Sequence, residues 1–99
     1  MQYIIPLEAL PNQSFSIEIE EKTCDFEFIT RGAYIYMNLK IANEDVLNGI
    51  ICQNKSNLNL YDTTGLNGKI YFKDTQGELD PVYYGLNDRW LLIYEDERV

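Results

Sequence analysis

The chain has 99 residues, enough for one domain, and its 45% apolar and 24% charged residues are typical of a globular protein. Sixteen acidic residues against eight basic ones give a net charge of −8, which repels phosphate backbones and excludes a general nucleic-acid binder. The sequence contains no histidine, the commonest general base and metal ligand, and no apolar run long enough to predict a membrane span.

Alternation of apolar and polar residues with a period of two dominates the first half of the chain and predicts β-strands. Residues 14–20 and 24–28 each place apolar side chains on one face, and the short link between them predicts an antiparallel hairpin. Residues 33–42 alternate in the same way. After a polar turn predicted over 43–45, a return strand is expected at 46–52, in which Gly49 indicates a β-bulge.

The second half of the chain contains shorter strand signals between turn-rich segments. Strands are predicted at 58–62, 69–73 and 89–95. Residues 74–81 form the strongest turn signal, and residues 83–88 are expected to be irregular.

The regular spacing of short strands, without a helical stripe, predicts an all-β fold. We expect one domain over residues 1–99, a small sandwich or barrel of about seven antiparallel strands with no substantial helix. Residues 1–12, with two prolines, are expected to form an extended apolar arm or an edge strand. The charged tail 96–99 is expected to be frayed.

Residue types that carry chemistry lack the partners that catalysis needs. Cys24 and Cys52 each fall on the apolar side of a predicted strand, so buried thiols are expected, while a disulfide between them stays open. Asp74 and Asp80 lie where carboxylates cap turns, and the spacing of a helix–loop–helix calcium site is absent. We therefore predict no catalytic, metal or cofactor site and no enzymatic activity.

Tyrosine and tryptophan are abundant, with eight Tyr and one Trp in the chain. Some stand on the strand face opposite the aliphatic residues or in a predicted loop, where a sandwich core does not need them. Because these side chains are enriched where proteins meet, we predict a partner interface. The residues assigned to it are Tyr34, Tyr36, Tyr83, Tyr84 and Trp90.

Several segments, taken in chain order, resemble one protein family. The apolar start 4–7 is followed by 11–16, the strand end 51–54, and the run Asp74-Thr75-Gln76-Gly77 with Asp80-Pro81 and Tyr84-Gly85-Leu86. Together they resemble the small baseplate plug family of contractile-tailed bacteriophages and prophages. Asn87-Asp88 departs from the pattern, in which a glycine is expected first.

The resemblance implies a virion structural protein without catalysis, a small β domain at the central axis of the tail baseplate. Its expected partners are other phage tail proteins of the hub, spike, tube or wedge, and a homo-oligomer is left open. The implied location is the virion, after assembly in the cytoplasm of the host bacterium. No cofactor, nucleic acid or membrane is expected as a partner.

Two other functions are compatible with the composition. An acidic protein can imitate DNA and inhibit a nucleic-acid-binding protein, although the acids here are spread along the chain rather than concentrated in one segment. A small carbohydrate-binding β module would use Tyr and Trp as stacking platforms.

Overall fold

A computed structural model describes residues 2–55, 58 and 68–96 of the chain. Two antiparallel sheets account for the strands within these residues, a four-stranded sheet in the order β2-β3-β4-β5 and a three-stranded sheet in the order β1-β7-β6. The all-β prediction is confirmed, and the two sheets form a sandwich rather than a barrel. The strands are β1 (Gln2–Ile5), β2 (Asn12–Ile19), β3 (Lys22–Arg31), β4 (Tyr34–Ile41), β5 (Glu44–Ile51), β6 (Lys69–Asp74) and β7 (Trp90–Glu95).

Apolar residues on the inner faces of both sheets form one core. The Phe28 and Phe72 rings meet edge to face across the two sheets, with centroids 5.8 Å apart. Met37 and Leu39 on β4 and Leu92 on β7 are fully buried between them. Burial of each such side chain contributes about 1.5–3 kcal/mol to the stability of the fold. The apolar side chains on the two inner faces therefore hold the sheets together.

The meander of the four-stranded sheet uses turns tighter than the sequence predicts. Glu20 and Glu21 link β2 to β3, and Ala42 and Asn43 link β4 to β5, all with positive φ. Two-residue loops of this kind match the right-handed twist of the strands. The prediction of a turn over 43–45 is therefore wrong, because Glu44 and Asp45 already pair with β4.

Gly49 lies in a bulge, as predicted. Asn48 and Gly49 of β5 face the single residue Asn38 of β4, since Ile50 pairs with Met37 and Leu47 pairs with Leu39. Gly49 has a φ of 63°, which its missing side chain permits. Its amide donates to the Asn38 Oδ1 at 2.7 Å, so the bulge is tied to the neighbouring strand.

Two predicted segments are largely beyond the part of the chain that the structure describes. The strand at 58–62 is outside it apart from Leu58, and the tail 96–99 is outside it apart from Asp96.

Residues 83–88, predicted to be irregular, begin instead with a 3-10 turn over Tyr83–Gly85. At the start of the chain, β1 is an edge strand that pairs with β7 from Gln2↔Glu95 to Ile5↔Leu92.

Candidate functional site

The four-stranded sheet has one face that points away from the core, called the outer sheet face below. Aromatic side chains lie at one end of this face. Tyr34 and Tyr36 alternate along β4 with buried aliphatic residues, and the Tyr34 side chain is 41% exposed. Ile29 and Ile51 pair with Tyr36 from the two neighbouring strands and are half-buried. Ile29 and Tyr36 also line a surface concavity of about 300 Å³ with Arg31.

The other end of the outer sheet face is acidic. Asp25 and Glu27 on β3 stand there with Asp45 on β5, around a shallow concavity of about 560 Å³. Lys40 lies among them, with its Nζ 3.9 Å from the Asp45 Oδ1, an exposed pair that water screens. The carboxylates therefore outnumber the bases at this end, and the face is negative beside its aromatic end.

Hydrogen bonds across the strands hold these side chains in place. The Ser16 hydroxyl donates to the Asp25 carboxylate. The Asn38 Nδ2 donates to the Glu27 Oε1 at 2.9 Å, while its Oδ1 accepts the bulge amide of Gly49. The acidic end of the outer sheet face is consequently held by hydrogen bonds that run from β2 to β5.

A second aromatic pair stands on the connection between β6 and β7. The rings of Tyr83 and Tyr84 meet edge to face with centroids 5.7 Å apart. Tyr83 packs against the core, whereas Tyr84 is 72% exposed. Leu79, on the same connection, is 61% exposed. The connection thus exposes apolar side chains to solvent, while a buried side chain anchors its backbone.

The anchor is the buried carboxylate of Asp74, at the end of β6. Its Oδ1 accepts hydrogen bonds from the Gln76 amide at 2.9 Å and the Arg89 Nε at 2.7 Å. Its Oδ2 accepts from the Leu79 amide at 2.9 Å and from the Arg89 Nη2 at 2.8 Å. The Arg89 guanidinium, with these amides, holds the pKa of the Asp74 carboxyl far below its usual range. The connection is therefore closed on itself by a bidentate ion pair.

Trp90, assigned by sequence to the partner interface, belongs to the core instead. Only 3% of its surface is exposed, and its Nε1 donates to the Leu79 carbonyl at 3.0 Å. The Arg89 guanidinium lies 4.5 Å from the centre of its ring and covers it. A residue enclosed in this way contacts no partner unless the connection opens, so we omit it from the surface proposed below.

The two cysteines are free and fully buried. Burial raises the pKa of both thiols, and the effect is large at Cys52. Among the described residues no group of three or more Cys, Asp or Glu side chains is placed to hold a metal ion. Within the same residues no helix has the length and apolar character of a membrane span.

Sequence reasoning missed three residues that shape these surfaces. Ile29 and Ile51 join the aromatic end only through the strand register, which the bulge in β5 shifts. Arg89 holds Asp74 across 15 residues. The turn-capping role predicted for Asp74 is confirmed by its bond to the Gln76 amide, but no local pattern indicates the distant arginine.

The arrangement is a rigid β sandwich with exposed aromatic and acidic surfaces, and one comparison identifies it. A family model described as cyanophage baseplate Pam3 plug gp18 matches residues 1–97. The chain belongs to this baseplate plug family. It is a structural protein of the phage tail baseplate, and the family implies interaction with other baseplate proteins.

The family match confirms the resemblance found in the sequence and supports neither the DNA mimic nor the carbohydrate-binding module. No curated protein matched the chain. The match extends over both aromatic pairs and the Asp74–Arg89 clamp, so all surfaces described above lie within the family's span.

Proposed function

We propose that this baseplate plug protein acts without catalysis at the central axis of the baseplate, where it docks on hub, spike or tube proteins through its outer sheet face. The observation that carries the proposal is the aromatic end of that face, with Tyr34 and Tyr36 flanked by Ile29 and Ile51. Tyrosines with aliphatic neighbours are typical of interface centres. Assembly takes place in the cytoplasm of the host bacterium.

Size and rigidity support this choice of surface. A stable interface buries roughly 800 Å² on each partner, which a face of four strands can supply. The cross-strand bonds of Asn38 fix that face before docking, so little entropy is lost there. The exposed Tyr84, beside Tyr83 on its anchored turn, supplies a second contact.

The acidic end gives the proposed contact its selectivity. Asp25, Glu27 and Asp45 stand on the same face as the tyrosines, so a partner with a basic rim is favoured and an acidic surface is repelled. We assign the thiols of Cys24 and Cys52 and the saturated carboxylate of Asp74 to the structure of the domain rather than to a reaction.

Binding of the purified chain to each hub, spike, tube and wedge protein of the same tail, measured by surface plasmon resonance, tests the proposal. The double variant Tyr34→Ala/Tyr36→Ala is expected to lose at least about 30-fold in affinity for an axial protein, the effect of removing a hot spot. Leu10→Ala, at a residue 44% exposed outside both surfaces, is the matched control and should change affinity less than about threefold.

Two results would contradict the proposal. Full affinity of the double variant would show that the outer sheet face is not the contact. Binding to a wedge protein alone, with none to hub, spike or tube, would place the chain at the periphery of the baseplate.

A further inference from the structure

The three-stranded sheet also has a face that points away from the core, called the lysine face below. The residues that alternate with its side chains, among them Ile70, Phe72 and Leu92, are fully buried between the two sheets. The lysine face is formed by Gln2 and Ile4 of β1, Lys69, Tyr71 and Lys73 of β6, and Leu91, Ile93 and Glu95 of β7. It lies on the opposite side of the sandwich from the outer sheet face.

Apolar and basic side chains stand on different strands of the lysine face. Ile4, which is 56% exposed, pairs with Ile93, and Ile93 pairs with Tyr71, so one row of large side chains crosses all three strands. Lys69 and Lys73 are exposed on β6, on either side of that row. Neither ammonium forms a salt bridge with a described residue. The face is therefore apolar along β1 and β7 and basic along β6.

The one carboxylate of the lysine face is held within the sheet. The Glu95 Oε1 accepts a hydrogen bond from the Tyr71 hydroxyl at 3.2 Å and another from the Gln2 amide nitrogen. These contacts join β1, β6 and β7. The lysine face thus carries two bases against one acid, in a chain whose net charge is −8.

The outer sheet face carries charges of the opposite sign at a similar spacing. Asp25 and Asp45 stand in one row on either side of Lys40, about 10 Å apart at the usual distance between strands. Lys69 and Lys73 are four residues apart on β6, a span of about 13 Å. If the strands of the two faces cross, both ammonium groups reach this row, because a lysine side chain is long and flexible.

The same crossed orientation also matches the apolar parts of the two faces. On the outer sheet face the aromatic end and the acidic end follow each other along the strands. On the lysine face the apolar and basic parts lie side by side on neighbouring strands. Crossing the strands therefore brings Ile4 towards Tyr36 while β6 lies over the acidic end.

We propose that a second copy of this chain docks its outer sheet face on the lysine face, so that copies associate head to tail. The facing charges select this occupant, because salt screens charges separated by more than about 8 Å and leaves those in the contact. Such a contact is heterologous, and the first copy of an open stack keeps its outer sheet face for the axial protein. The inference therefore adds to the proposed function and does not depend on it.

Charge reversal on each face, followed by sedimentation velocity at up to about 1 mM protein, tests the pairing. Three strands form a small contact, so we expect the wild type to associate with a dissociation constant on the order of 100 µM. Lys69→Glu/Lys73→Glu and Asp25→Lys/Asp45→Lys should each associate at least about tenfold more weakly. An equal mixture of the two variants should restore association, because each reversed face then meets one of opposite charge.

Net charge alone predicts the reverse for one of these variants. Asp25→Lys/Asp45→Lys reduces the net charge from −8 to −4, which weakens the general repulsion between copies. Glu8→Lys/Asp88→Lys makes the same change of net charge outside both faces and is the matched control. We expect this control to associate at least as tightly as the wild type.

Three results would overturn the inference. They are a wild type that stays monomeric up to about 1 mM, a mixture that associates no better than either variant alone, and association lost in the lysine variant but kept in the aspartate variant. The last result would indicate a symmetric dimer through the lysine face. Lys69→Glu/Lys73→Glu leaves the outer sheet face intact and should keep its affinity for the axial protein, so the two proposals fail separately.

Discussion

Asp74 is the residue that gives the β6–β7 connection its shape. Its carboxylate is 4% exposed and receives two backbone amides as well as both nitrogens of a bidentate arginine contact. A buried carboxylate without such partners would be strongly unfavourable. Each carboxylate oxygen accepts hydrogen bonds from two donors. Removing the negative charge therefore leaves the guanidinium of Arg89 without its counterion and removes the group on which the hydrogen bonds of the β6–β7 connection converge.

We expect Asp74→Asn to lower the melting temperature at pH 7 by about 5 °C or more. The carboxyl has a lowered pKa in the folded chain, so the unfolded chain takes up the proton first as the pH falls. The ion pair's contribution is therefore complete above the ordinary value of 3.8 and is lost progressively below it. Thermal denaturation of the wild type and of Asp74→Asn, recorded from pH 7 to pH 2, measures this contribution as a difference in melting temperature.

The variant should show a flatter loss of stability than the wild type below pH 4, since one linked carboxyl has been removed. Asp45→Asn, at the exposed pair with Lys40, is the control and should shift the melting temperature by less than about 2 °C. Parallel pH profiles of Asp74→Asn and the wild type would show that the clamp contributes no acid-labile stability.

The buried thiols of Cys24 and Cys52 give a second prediction. Only the thiolate reacts, and burial raises the pKa of both groups while excluding the reagent. In the folded protein neither thiol should react with a disulfide reagent faster than the chain unfolds, and both should react after denaturation. Rapid labelling of the native protein at pH 8 would contradict the placement of these residues.

The turn over Tyr83–Gly85 shows how an element is fitted to the core beneath it. A Cβ at Gly85 would lie 2.3 Å from Cζ3 and 2.5 Å from Cε3 of the buried Trp90. The indole is 3% exposed and the Arg89 guanidinium lies over its ring, so relieving this contact would disturb packed neighbours. The glycine therefore allows the turn that presents Tyr84 to lie directly on Trp90.

We expect Gly85→Ala to lower the free energy of unfolding by about 1–3 kcal/mol, the cost of overpacking. Gly32→Ala is the matched control: nothing lies within 4 Å of its Cβ, but its φ of +62° makes alanine unfavourable by about 1 kcal/mol. Urea denaturation measures both. A smaller loss for Gly85→Ala than for Gly32→Ala would contradict the close contact with Trp90.

The sequence predicts the strands of the meander well because one face of each is buried. Polar residues alternate along β3 with Cys24, Phe26 and Phe28, and these three are buried in the structure. It predicts the turns less well, because Glu20 and Glu21 adopt positive φ although glutamate has no preference for it. Glu20 is held there by the Tyr94 hydroxyl and the Gly68 amide, which come from remote parts of the chain.

The sequence predicts only part of the candidate surface, because the rest depends on contacts between residues that are distant in the chain. Alternation places Tyr34 and Tyr36 on the outer sheet face, since their neighbours on β4 are aliphatic. It cannot place Ile29 and Ile51 beside them, which requires the register of three strands and the bulge. Nor can it place Trp90 in the core, because alternation does not show that the β6–β7 connection covers that end of β7.

As a whole, the molecule combines a long-range field with short-range contacts on one face. The net charge of −8 acts over about 8 Å, the screening length at physiological ionic strength, whereas the rings of Tyr34 and Tyr36 act only after contact. Charge should therefore govern the association rate of the proposed axial complex, and the tyrosines its dissociation rate. The two contributions can be separated by salt and by substitution.

Raising the salt concentration from about 50 to 500 mM should lower the association rate with the axial partner at least about tenfold, with less than about threefold change in dissociation. Tyr34→Ala/Tyr36→Ala should accelerate dissociation and leave the salt dependence intact. Glu18→Gln/Glu27→Gln should flatten the salt dependence, because Glu27 stands at the acidic end and Glu18 extends it along β2. Glu8→Gln/Asp88→Asn removes the same charge elsewhere and should flatten it less; equal effects would show that net charge alone, without the acidic end, guides association.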